Sequence, residues 1–262
     1  MYSQRVTAVP ETVLGKAVLV LRAFSVNDQA VSLAELVRRT GLHKATIHRL
    51  CGELVSHRLL DKEPAGYRLS GGLFELGMRA SVERSLLELA IPFLQDLYER
   101  THETVHLGIR EGTEVIYVAK IGGHQQARSP SRIGGRMPLH CTAIGKVLLA
   151  FGDAAVRRSV LAAPLERRTA HTIVTPGTLS RTLAAVSRTG VAFEREESAL
   201  GITCVAAPVL AETGDVAAAI SITGPTGRFR AEHQIAALQT SATALSNVMA
   251  RSQSRVGRNG TI

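Results

Sequence analysis

The chain has no tryptophan, four tyrosines, six phenylalanines and only three cysteines in 262 residues. Cys51, Cys141 and Cys204 form an odd and widely spaced set without metal-ligand spacing, which argues against a disulfide scaffold and suits a reducing compartment. No hydrophobic run is long enough to cross a bilayer. The opening MYSQRVTAVPETVLGK lacks the apolar segment and cleavage site of a secretory signal, so a cytoplasmic chain without a membrane partner is expected. Internal repeats and low-complexity blocks are absent. So are a phosphate-binding glycine loop, HExxH, CxxC and GxSxG, which leaves little support for an enzyme and none for a cofactor or a metal. His140, Cys141, Cys204 and Glu194 can be drawn together as a thiol nucleophile and its base, or His140, Cys141 and Cys204 as the ligands of a metal sensor, but no spacing demands either.

The charge is +9 with a pI near 10.1, which fits an anionic partner. The most informative segment is 32–58, SLAELVRRTGLHKATIHRLCGELVSHR. Ser32 followed by Glu35 is a capping box, and Leu33, Leu36 and Val37 share a helical face. Gly41 suits a left-handed stop, after which a second helix buries Ile47, Leu50, Cys51 and Leu54. Its opposite face presents Lys44, Thr46, His48 and Arg49 near the N-terminus, the composition that a major groove accepts. Leu59–Lys62, the turn Glu63–Gly66 and Tyr67–Leu69 read as a hairpin wing. A helix through Val13, Ala17, Val18, Val20 and Leu21 completes a three-helix core. Arg68 on the wing is a candidate phosphate clamp, with a plain strand-surface arginine as the equal alternative.

A winged helix-turn-helix domain is therefore expected over 10–72, after a flexible first dozen residues. Gly71-Gly72 should break the chain before a short linker helix, LFELGMRA, that opens a second domain over 73–255. From Ser81 the pattern is helical, with Pro92 kinking that helix or starting another. Strands are expected at Thr104–Arg110 and Glu114–Ile121, with Val105, Leu107 and Ile109 on one face, then an irregular stretch from Gly122 to Arg136. Helices near 142–151, 153–163 and 176–189, strands at 191–196, 203–210 and 216–223, and a helix near 231–251 complete an α+β domain with an antiparallel sheet.

Ahead of the helix at Ala143, Pro138-Leu139-His140-Cys141-Thr142 leads into free helical amides, a natural cradle for a carboxylate. Ser221 and Thr223 project from one strand face, and Ile220 and Ile222 from the other.

TGLHKATIHRLCGEL, PLHCTAIGKVLLA and GVAFEREESALGITCVAAPVLAETGDVAAAISITGP, in that order, resemble segments of the IclR family of bacterial transcriptional regulators, and the likeness covers about residues 10–255. The resemblance implies a winged DNA-binding domain, a GAF-like effector-binding domain, and a homodimer or dimer of dimers (a homotetramer) on double-stranded operator DNA, acting as a ligand-responsive regulator and expected to be a repressor. It places the effector, a small or aromatic carboxylate, on the backbone of Ala143 and Ile144 and on the side chains of Glu194, Cys204, Ser221 and Thr223, with Met137 and Ile202 as apolar lining. His43 stands where the family has Pro or Ser, which should alter the cap of the second helix. Glu194 replaces a frequent Asp, Thr223 a frequent Ser, and bulky Ile144 a small residue. An ionised Glu194 would repel a carboxylate and is expected to accept a hydrogen bond from a ligand hydroxyl.

Overall fold

The computed structural model describes residues 10–122 and 129–259, with side chains from 10–80, 84–122 and 129–252. Of the expected flexible start, residues 1–9 lie outside the described residues, as do 123–128 of the expected irregular stretch. The chain divides into two compact units, Met1–Arg84 and Ser85–Ile262. No described helix is long and apolar enough to cross a membrane.

The first unit packs helices α1 (Val13–Arg22), α2 (Leu33–Thr40) and α3 (Lys44–Ser56) against a hairpin of β1 (Leu60–Glu63) and β2 (Gly66–Leu69). Leu36, Ile47, Leu50, Cys51 and Leu54 form its core with Leu19, Val20, Leu60 and Tyr67. Val31 bridges the wing to the helices by exchanging both backbone hydrogen bonds with Tyr67. Gly66 permits this, because a Cβ there would lie 2.2 Å from the Val31 carbonyl oxygen. Gly41 ends α2 at φ 71°, the left-handed stop that its position implied. The Ser32 hydroxyl accepts the Glu35 amide at 3.2 Å. The other half of the box is redirected: the Glu35 carboxylate receives Arg38 and Arg39, which hold its pKa down to about 2.

Two expectations are corrected here, and one open alternative is decided. In α1 the core side is Leu19 and Val20, whereas Val13 and Val18 lie on the solvent side with Leu14. That ten-residue helix is apolar nearly all round, so periodicity cannot choose its face. Gly71 and Gly72 do not break the chain. They are the first turn of α4 (Gly71–Gly77), where the Ser70 hydroxyl accepts the Gly72 amide at 3.0 Å. Gly72 is required because a Cβ would meet the Arg58 carbonyl at 2.1 Å. Pro92 does not start a new helix, since α5 runs unbroken over Ser81–Thr101.

The second unit is built on a six-stranded antiparallel sheet in the order β5-β4-β3-β8-β7-β6, formed by β3 (Thr104–Glu111), β4 (Glu114–Ile121), β5 (Arg136–Pro138), β6 (Ala192–Arg195), β7 (Ile202–Leu210) and β8 (Val216–Pro225). The short strand β5 was not expected, and its first residue, Arg136, closes the stretch expected to be irregular. It is recognisable only through its pairing with β4, Met137 opposite Val115.

Both faces of the sheet are covered. Alternate residues such as Val105, Leu107, Val205, Ile220 and Ile222 pack with α5 and with α9 (Ile235–Asn259). The intervening positions Tyr117, Ala206 and Ala219 pack with α6 (Ala143–Phe151), α7 (Ala154–Ala162) and α8 (Pro176–Thr189). The α6 face carries the polar row. Glu194 pairs with Cys204 and Cys204 with Thr223, while Ser221 pairs with His106 across β8 and β3. Cross-strand neighbours of this kind lie close enough for their side chains to touch.

Candidate functional site

In the first unit, Lys44, His48 and Arg49 are exposed and Thr46 half-buried, on the side of α3 away from Ile47 and Leu50. His43 occupies the N-cap and makes no side-chain cap bond, so the first amides of α3 remain available. Arg49 donates to Glu53 one turn on, at 2.7 Å. Arg68 is clasped within the wing by Asp61 at 2.5 Å and by Glu63 at 2.9 Å. A phosphate approaching Arg68 therefore meets two carboxylates beside it.

In the second unit, Met137, Ala143, Ile144, Glu194, Ile202, Cys204, Ser221 and Thr223 all line one cavity over the polar row. Its volume is about 10 Å³, room for about one water molecule. The Thr142 hydroxyl caps α6 by accepting the Gly145 amide at 3.0 Å, and Ala143 and Ile144 open the helix on the cavity wall. This start is rigidly placed. A Cβ on Gly145 would lie 2.2 Å from the Leu139 carbonyl oxygen, so only glycine lets α6 pass this closely. Bulky Ile144 is accommodated by Gly108 of β3, where an added Cβ would meet Ile144 Cγ2 at 2.9 Å.

Further lining residues escaped the sequence reading: His106, Tyr117, Ser129, Pro130, Ser131 and Ser198. His106 Nε2 is 2.7 Å from the Ser131 hydroxyl, and its Nδ1 is 3.4 Å from the hydroxyls of both Ser221 and Thr223. Tyr117 packs edge-on against its ring at 5.2 Å. Burial, with Lys120 adding to it, pushes the His106 pKa down to about 3, so the ring is neutral. One signal pointed to it: β3 alternates, so a histidine between Val105 and Leu107 must face the other side of the sheet.

Glu194 is buried on β6. Its Oε1 accepts the amide of Ser198 at 3.0 Å and its hydroxyl at 3.3 Å, and its Oε2 has no hydrogen-bond partner. Burial raises its pKa to about 7, against the opposing pull of the Ser198 amide and the Cys204 thiol. Burial thus makes the neutral carboxyl accessible near neutrality, and the repulsion expected of an ionised Glu194 applies only to its charged form. Behind it, Lys146 of α6 is 1 % exposed and donates to the Phe193 carbonyl at 2.9 Å and to the Glu197 carboxylate. A lysine in an apolar helix hinted at such a partner, but spacing could not find one fifty-one residues away.

The thiols are poorly suited to nucleophilic chemistry. Burial pushes Cys141 up to about 12 and holds Cys204 well above its ordinary value. His140 is committed to the Glu166 carbonyl at 2.9 Å, and Cys204 lies 2.7 Å from the Thr223 hydroxyl. Among the described residues no group of three or more His, Cys, Asp and Glu side chains is arranged to hold a metal ion.

Residues 13–64 match the model of the IclR helix-turn-helix domain, and residues 78–247 that of the bacterial transcriptional regulator IclR C-terminal domain. The chain belongs to the IclR family. HTH-type transcriptional regulator KdgR of Dickeya chrysanthemi is 34% identical over 241 residues, covering 88% of this chain and 79% of that protein. DNA-binding transcriptional repressor YiaJ of Escherichia coli is 30% identical over 243 residues, covering 89% and 86%. An IclR homolog of Microbacterium hydrocarbonoxydans, solved as a complex with 4-hydroxybenzoate, superposes with a TM-score of 0.86 at 30% identity, covering 92% of this chain and 100% of that one. This IclR-family chain is a DNA-binding transcriptional regulator that senses a small molecule.

Proposed function

We propose that the protein is a repressor whose grip on an operator is released by a small, preferably aromatic, carboxylic acid held in the cavity of the second unit. The observation that carries this reading is the convergence on one cavity of all eight residues expected to meet the effector. The ligand carboxylate would lie on the amides of Ala143 and Ile144, where the helix dipole favours negative charge. A second polar group would meet Ser221, Thr223 and Cys204, with Glu194 beside the carboxylate. A hydroxybenzoate has both, as does the ligand of the Microbacterium hydrocarbonoxydans homolog. Because the cavity holds about one water, such a ligand must part its walls, and occupancy then differs structurally from vacancy.

On the DNA side, Lys44, Thr46, His48 and Arg49 enter the major groove, and Arg68 touches backbone if phosphate displaces Asp61 and Glu63. Exposed apolar residues support a homodimer, or a dimer of dimers: Leu14 of α1 is 75% and Phe74 of α4 74% exposed. Two such units would read half-sites about one helical turn apart in cytoplasmic DNA.

The test is a thermal-shift screen with small organic acids, because a ligand that binds only the folded state raises its stability. Hits should then release the protein from a genomic fragment it prefers. If no acid stabilises the protein, the effector assignment fails.

Arg49→Ala should weaken specific DNA binding by about 1–3 kcal/mol while random DNA loses less. A titration at fixed salt checks this, and equal losses on both would mean that Arg49 grips only backbone. Ser221→Ala should cost a bound hydroxybenzoate about 0.5–1.5 kcal/mol, with DNA binding retained. Unchanged affinity by calorimetry would remove Ser221 from the site.

A further inference from the structure

We infer that Glu194 serves as a proton-carrying hydrogen-bond donor, so that a carboxylate effector enters the cavity together with one proton taken from solvent. The inference rests on the effector reading above and specifies its chemistry. Glu194 is 1 % exposed and lines the cavity; its Oε1 accepts from Ser198 and the Cys204 thiol also bonds to its carboxyl, while Oε2 has no hydrogen-bond partner. The bare Oε2 is the unusual feature, since buried polar atoms nearly always find partners. Either the ligand donates to this atom, or the atom carries its own hydrogen and donates to the ligand.

The surrounding charges favour the second arrangement. From β7 and β4, Glu194 faces the thiol of Cys204 and the phenol of Tyr117, and from the segment before α6 the thiol of Cys141. Burial raises the pKa of all three, which keeps them neutral. His106 of β3 is neutral as well. Glu197 lies in the turn that follows β6, directly before Ser198, and adds negative charge. Its partner Lys146 of α6 is spent on that carboxylate and on the Phe193 carbonyl. Arg168, ahead of α8, donates to the Ser198 carbonyl at 3.3 Å and lies outside the cavity lining.

Among the described residues, no lysine or arginine lines the cavity. A ligand carboxylate beside an ionised Glu194 would thus place two buried anions together with no cation from the described residues between them. Two carboxyl groups in that position share a proton, because one of the two is driven to stay protonated. The proton is taken up on Glu194 Oε2, and the resulting O–H donates to the ligand carboxylate. Beyond that O–H, no covalent bond is made or broken.

The test uses the full chain, with 4-hydroxybenzoate and benzoate as probes. Calorimetry is run at about pH 6 and about pH 8 in buffers of different protonation enthalpy. Near pH 8 the expected result is uptake of close to one proton per ligand, with Kd rising roughly tenfold per pH unit above the Glu194 pKa. Glu194→Gln should bind with a Kd that no longer follows pH and with no proton uptake. A ligand-free readout accompanies it: the infrared band of a protonated carboxyl at about pH 6, lost in Glu194→Gln. Binding without proton uptake, or equal uptake by Glu194→Gln, overturns the inference and leaves the effector reading standing. If neither acid binds at either pH, the effector reading falls and this inference with it, whatever the infrared band shows.

Discussion

Lys146→Ala is expected to destabilise the second unit by about 3–5 kcal/mol, the usual cost of stripping one partner from a buried ion pair. The Lys146 side chain is 1 % exposed, and its ammonium bridges the Glu197 carboxylate and the Phe193 carbonyl. Glu197 Oε2 already has no hydrogen-bond partner, so the substitution would leave the whole carboxylate buried and unmatched. Removing both charges, as in Lys146→Met with Glu197→Leu, should recover much of the loss, because neither member then bears an uncompensated desolvation cost. Urea unfolding decides the matter: the midpoint should fall while the slope stays constant. A loss below about 1 kcal/mol for Lys146→Ala would show that the pair behaves as a surface ion pair does. The consequence reaches the cavity, because this bridge ties α6, whose first residues line it, to the end of β6, which carries Glu194.

The first unit was legible wherever one local rule decided the outcome. Ser32, Gly41 and the Ile47, Leu50, Cys51 and Leu54 stripe each read correctly because capping, left-handed backbone and helical spacing act within a few residues. The failures are equally local in cause. The apolar surface of α1 offered no contrast between faces, and Gly71-Gly72 looked like a breaker because the nearby Arg58 carbonyl is invisible in sequence. In the second unit the strands of the long hairpin were legible by alternation, whereas β5 exists only through its pairing with β4. Ser221 and Thr223 were legible as a strand-face pair, but Glu194, Cys204, Met137 and Ile202 came from family likeness rather than from any local pattern. The alternation of β3 turns His106 to the α6 face, but its partners and the Lys146–Glu197 bridge depend on contacts across the sheet and between α6 and the β6 turn, and no sequence spacing encodes those.

The pH dependence of stability should expose His106 and Glu194 as opposing contributions. His106 has its pKa lowered from 6.5 to about 3, so the unfolded chain binds its proton first and stability falls as pH drops below about 6.5. Glu194 has its pKa raised from 4.5 to about 7, so the folded chain holds its proton longer and stability falls as pH rises from about 4.5 to about 7. Each contributes about 1.4 kcal/mol per pH unit within its window. Between about pH 4.5 and 6.5 the two slopes have opposite sign and nearly cancel, which predicts a flat region for the unmodified protein. Glu194→Gln should remove one slope, leaving stability to fall steadily by about 3 kcal/mol as pH drops from about 6.5 to 4. His106→Gln keeps a neutral hydrogen-bonding side chain and removes the other slope, so that variant should instead gain stability from about pH 7 down to 4.5. Urea midpoints of the three proteins across this range, each referred to its own value near pH 7, isolate the two effects from the carboxylates that all three share. Parallel curves would mean that water reaches both side chains, and the buried polar row beneath α6 could not then be the dry, proton-sensitive surface that its hydrogen bonds describe.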